Sequence, residues 1–253
     1  MIVRSEQIKT FEVYAEGAYT TEMVEHMKSY APKVCEVVGD PGVRRIVESE
    51  IQHARDYDLT NREPVRFFLE LTCSLGCGFD TDPQLQWAAE TLNDSSIPND
   101  LHRADRLHER LVQYLDRVAG PDQKYAIQAL QRWLEFNFEI APREGWSERP
   151  ALKVMARLYP EKFEFIGESV ASTLAQQATE EAAKYGLPQG KGAAVLTGMK
   201  FAMGHRICED HYYPWISSAL TDPRIVDGEQ RLSRLISKMR TYGTHVLAYF
   251  TQS

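Results

Sequence analysis

The chain carries one pattern twice, 128 positions apart. Phe67 to Trp87 reads FFLELTCSLGCGFDTDPQLQW, and Val195 to Trp215 reads VLTGMKFAMGHRICEDHYYPW. Gly76 falls on Gly204, Asp82 on Asp210 and Trp87 on Trp215. The same offset, without a gap, pairs Pro32 with Pro160, Gly39 with Gly167, Tyr57 with Tyr185, Arg103 with Arg231 and Tyr114 with Tyr242. From Pro32 to Val118, 17 of 87 positions are identical to their counterparts, where chance at about 6% per position would supply roughly 5. A diverged internal duplication accounts for this and makes the expected fold two copies of one plan.

That plan is helical. Val43, Ile46, Val47, Ile51 and Ala54 recur at helical spacing behind Asp40-Pro41, a cap followed by proline at the first position. Further helices are expected at 65–75, 85–92, 101–118 and 123–140, then at 151–158, 170–185, 193–203, 215–220 and 229–250. Residues 5–31 read as two short helices broken at Gly17, with Ile8, Phe11 and Val13 on one apolar face and Met23, Val24 and Met27 on the other. Val34 to Val38 and Phe163 to Gly167 read as short apolar turns, and Gly190 to Gly192 as a loop. Sustained strand-type alternation is missing. The expectation is an all-α chain: repeat unit 1 over 1–122, a connecting helix and linker over 123–150, and repeat unit 2 over 151–253. The linker is APREGWSERP, residues 141–150. Packing of the two central helices at one interface, near Leu71 and Met199, is expected to join the units.

Composition narrows the partners. A net charge of −7 and the absence of a basic stripe argue against nucleic acid. No run of about 18 apolar residues marks a membrane span, and the first residues carry no signal-peptide pattern. Cys35, Cys73, Cys77 and Cys208 sit in or beside apolar helical patterns, as reduced thiols in a cytoplasm do.

Motifs for chemistry are thin. His205, Cys208 and His211, with Asp210 beside them, are the sharpest metal candidates, but steps of three set them on a drifting helix face. Asp80 and Asp82 lack the glycine and glutamate of a calcium loop, and Asp82 before Pro83 reads better as a helix cap. No nucleophile elbow, phosphate loop or dinucleotide fingerprint occurs. No cofactor and no catalytic residue is assigned. Phe79, Asp80, Asp82, Trp87, Tyr212, Tyr213 and Trp215 are the candidate partner-binding residues, the aromatics because such side chains anchor interfaces as well as cores.

MVEHMKSYAP at 23–32, VRRIVESEIQHARDYDL at 43–59 and FFLELTCSLGCGFDTDPQLQWAAETL at 67–92 resemble small helical accessory proteins encoded beside spike, PAAR-type tip and effector genes of bacterial type VI secretion systems. The "ARxYxL" helix end, the "GxGFDTDP" turn and the following tryptophan carry the resemblance, which covers the first half directly and the second only through the repeat. It implies a cytoplasmic, non-enzymatic adaptor or chaperone that binds a secreted effector or spike-tip protein. Two other readings stand beside it: an immunity protein that neutralises a toxin, and a metal-dependent enzyme using His205, Cys208, Asp210 and His211. The sequence leaves a homodimer open.

Overall fold

The computed structural model describes residues 5–138 and 148–252 of the 253-residue chain. Among these residues the fold is all-α, with no strand. The first half runs α1 (Ser5–Tyr30), α2 (Pro32–Val38), α3 (Asp40–Arg55), α4 (Arg62–Leu75), α5 (Gln86–Leu92) and α6 (Asp100–Val118). A bridging helix follows, α7 (Lys124–Glu135). The second half runs α8 (Glu148–Leu158), α9 (Pro160–Lys184), α10 (Gln189–Met203), α11 (Pro214–Thr221) and α12 (Gly228–Gln252).

At the offset of 128, α2 and α3 fall on the kinked α9, α4 on α10, α5 on α11 and α6 on α12. α4 ends at Gly76 with φ 100° and ψ 156°, and α10 ends at Gly204 with φ 108° and ψ 150°. α2 and α3 meet at Gly39, φ 76°, while α9 kinks at Gly167, φ 78°. Trp87 lies 6.0 Å from Tyr114, and Trp215 lies 5.8 Å from Tyr242, with interplanar angles of 37° and 33°. Arg103 donates to the Tyr57 carbonyl, and Arg231 donates to the Tyr185 carbonyl. Each half also has its own buried cluster. One gathers Met23, Val47, Phe68, Leu71 and Leu107; the other gathers Met155, Leu174, Met199, Ile216 and Leu235.

Several local expectations give way. Gly17 does not break α1, which is continuous over 26 residues. A helical glycine costs only about 1 kcal/mol against alanine, and Thr21 Oγ1 donates to the Gly17 carbonyl at 2.8 Å. Residues 34–38 are helical because Pro32 starts α2 at a first-turn position. Residues 163–166 likewise belong to α9, and Gly190–Gly192 is the first turn of α10 rather than a loop. The helix expected over 123–140 stops at Glu135. Leu71 and Met199 sit in different clusters, so the halves meet at the C-terminal ends of α4 and α10 instead. The side chains of Ile8, Phe11 and Val13, and residues 141–147 of the expected linker, lie outside the described residues; its last three, 148–150, open α8 instead.

Candidate functional site at the seam between the halves

The seam is built by two glycine turns and two aspartates. After Gly76 the chain turns through Cys77–Asp82, and after Gly204 through His205–Asp210. The turns lie back to back. A Cβ placed on Gly76 would stand 2.7 Å from the Met203 carbonyl, and one on Gly204 would stand 2.9 Å from the Leu75 carbonyl. Both need a residue without a side chain and with positive φ.

Each aspartate serves both halves. Asp82 Oδ1 accepts from Gln84 N at 2.8 Å, opening the short helical turn before α5, while Asp82 Oδ2 accepts from His205 N at 2.8 Å. Asp210 Oδ1 accepts from Tyr212 N at 2.8 Å, while Asp210 Oδ2 accepts from Cys77 N at 2.8 Å. A cap of this kind contributes about 1 kcal/mol. Here a buried carboxylate also joins the halves.

The matching aspartates differ in charge balance because residues 77 and 205 differ. His205 Nδ1 stands 3.4 Å from Asp82 Oδ2. Burial works against the Asp82 charge, but His205 and the N–H groups of Gln84 and His205 outweigh it and hold the carboxyl below its usual range. Asp210 faces Cys77 instead. Burial prevails over the N–H groups of Cys77 and Tyr212, and its carboxyl is raised.

Behind the first turn lies a polar cluster. His53 of α3 places Nε2 3.0 Å from Asp80 Oδ2 and Nδ1 3.3 Å from Glu50. Tyr57 donates to Asp80 at 2.6 Å. Asp80, followed by Glu50, pushes His53 up to about 10, so at neutral pH the ring is a clamped imidazolium rather than a general base. In the second half, Glu181 and Cys208 occupy the places of His53 and Asp80, and Lys200 that of Thr72. Lys200, fully buried, donates to Glu181 at 2.7 Å and to the His205 carbonyl. Burial raises all four thiols, Cys73 to about 12, so none is a ready nucleophile.

The structure thus distributes the sequence candidates. Phe79, Asp80, Asp82, Trp87 and Tyr212 are buried and do not form an exposed partner surface; Tyr213 and Trp215 are half-buried against Tyr242. They are core and seam residues. Tyr212 packs into the first half's cluster, while its counterpart Gln84 donates to the Lys200 carbonyl in the second. His205, Cys208 and His211 do not converge: His205 faces Asp82, Cys208 is buried beside Glu181, and His211 is exposed. No group of three metal-ligating side chains occurs among the described residues. No described helix is long and apolar enough to cross a membrane.

Beside the seam, a cleft of about 360 Å³ opens between the end of α6, α7 and α12, with Lys162, Gln84 and Phe201 at its inner side. The outer face of α6 adjoins the cleft, with Leu115 on the border of both. Leu101, Val112 and Leu115 fall on one side of that helix and are 50%, 43% and 41% exposed. His53, Lys162 and this stripe escaped the sequence reading; the repeat alignment itself, which sets Leu115 against Gly243, held the signal for the last.

No protein-family model, curated protein or solved structure matches the chain.

Proposed function

We propose that the chain is a non-enzymatic adaptor of a type VI secretion system that holds an amphipathic helix of an effector or spike-tip protein against the outer face of α6. The observation that carries this reading is the difference between α6 and α12. On α12, Gly243 is buried, and a Cβ there would stand 2.9 Å from Leu134 and 3.3 Å from Leu130 of α7. Arg240 on the same face reaches the Phe136 carbonyl at the end of α7, 3.5 Å away. The counterparts on α6 are Leu115 and Val112, both exposed. A face that α7 covers in one half is therefore open and apolar in the other. Leu101, Val112 and Leu115 are spaced by 11 and 3 residues, the register in which a docking helix places its anchors.

The resemblance to type VI accessory proteins supplies the class of partner, and the protonated thiols and the clamped His53 agree with a binding role. The test is affinity capture from the native host with the wild-type chain and with a Val112→Glu/Leu115→Glu double variant. The expected result is an effector or spike-tip protein recovered by the wild type and lost by the variant, with both chains equally stable. Equal recovery by the two would remove the α6 face from the reading. Protection of cells from the recovered toxin would replace the adaptor with an immunity protein.

A further inference from the structure

Among the described residues two lysines are buried, and one of the two has an anion. Lys200 has Glu181 and a carbonyl. Lys162, in the first turn of α9, is 6% exposed and borders the cleft between the halves. Its ammonium stands 5.5 Å from the centre of the Phe201 ring. It has no hydrogen bond or ion pair to any described residue. Asp82, the carboxylate that acts on it, is already engaged by Gln84 N, Gln84 Nε2 and His205 N. Two buried polar atoms on the cleft lack partners: the Trp133 Nε1–H and Gln84 Oε1.

Most of the remaining wall is apolar, including Leu130, Ile127, Met239 and Val246; Ser74, Gln123 and four tyrosines add polar edges, and the Asp82 carboxylate on it is already hydrogen-bonded. A buried ammonium without an acceptor is costly, and burial pulls Lys162 down to about 8. A cleft of this size, apolar with a few polar groups, has the make-up of a small-molecule site. We propose that the cleft binds a small amphipathic carboxylate, its head on the Lys162 ammonium and its aliphatic or aromatic body between α7 and α12. A carboxylate supplies the acceptors that Lys162 lacks, in surroundings where a charge-assisted hydrogen bond is strong. The Trp133 N–H is a second donor on the same wall. A tail of roughly ten carbons suits the volume. The cleft shares Leu115 with the outer face of α6, but Lys162, Trp133 and Ile127 lie off that face, so the proposal is tested apart from the adaptor reading.

The test is calorimetric titration of the full chain with decanoate, decanol and decylammonium, each below its micelle concentration. The wild type is compared with two variants: Lys162→Met, and Ile127→Trp, which narrows the cleft while keeping the lysine. Expected is saturable binding of decanoate, weakened at least about ten-fold for decanol, for decylammonium and for either variant. Decanol binding as tightly as decanoate, either folded variant keeping full decanoate affinity, or no saturable decanoate binding would each overturn the proposal. Should Lys162→Met fail to fold, Ile127→Trp and the ligand series decide it.

Discussion

Gly76 and Gly204 meet across the seam so closely that a Cβ on either would stand 3.6 Å from the other's Cα and under 3 Å from a backbone carbonyl of the other half. Alanine at either position combines strain at positive φ with a clash against backbone that cannot swing away. Gly76→Ala and Gly204→Ala are each expected to destabilise by about 2–4 kcal/mol in urea melts. Gly17→Ala, where a Cβ meets nothing within 4 Å, is the control and should be neutral or stabilising by up to about 1 kcal/mol.

Asp82 and Asp210 should respond differently to neutralisation. The Asp82 carboxyl lies below its usual range. Its stabilisation is therefore present above the unfolded value of about 3.9 and is lost as pH falls through the folded value. Asp210 lies above, so between its unfolded and folded values the folded state holds the extra proton, and stability declines as pH rises there. At pH 7, Asp82→Asn should cost about 1–3 kcal/mol and Asp210→Asn less. The gap should narrow below pH 4, as denaturant melts at stepped pH would register.

His53 is raised to about 10 by Asp80 and Glu50. Its stabilisation is complete below about 6.5, the ordinary imidazole value, and fades as pH rises through 10. The ring should stay protonated to at least pH 8.5 in an NMR titration. His53→Ala leaves Asp80 buried with Tyr57 as its one remaining side-chain donor, and about 1–3 kcal/mol should be lost at pH 7. A ring titrating near 6.5 would contradict the clamp.

Lys162 has the opposite sign. Its folded value of about 8 lies below the ordinary lysine value, so the unfolded chain binds more protons between about 8 and 10.5, and stability rises with pH across that window. Lys162→Met should therefore stabilise the free protein by roughly 1–3 kcal/mol at pH 7, and the gain should vanish above pH 10.5. A substitution that firms the fold while removing decanoate affinity would separate a ligand group from a structural one.

The helical class was plain in the sequence because apolar spacing is local. α3, α4 and α6 lie within a few residues of where Ile46, Leu69 and Leu107 place them. What failed locally were the glycines. Gly17 and Gly190 are tolerated inside helices whose other contacts outweigh their cost, whereas Gly76 and Gly204 end theirs. The cap at Asp82 was legible from Pro83 beside it. Its second bond, to His205 N, was not, because 123 residues separate the two. His53 was passed over for the same reason: Asp80 lies 27 residues away, and no motif spacing joins them. Lys162 gave no sign because an unpaired buried charge is a property of surroundings, and the sequence names none of them.

The crossed aspartates bear on how such a chain could be divided. Residues 77 and 82 form one side of a relationship that residues 205 and 210 reciprocate, which is the pattern of an isologous contact between two copies of one subunit. A polypeptide ending after its first half would keep a free amide at Cys77 and an uncommitted oxygen on Asp82. Both would be complementary to a second molecule of itself. Within a single chain, the seam thus has the reciprocal geometry of a contact between two like subunits.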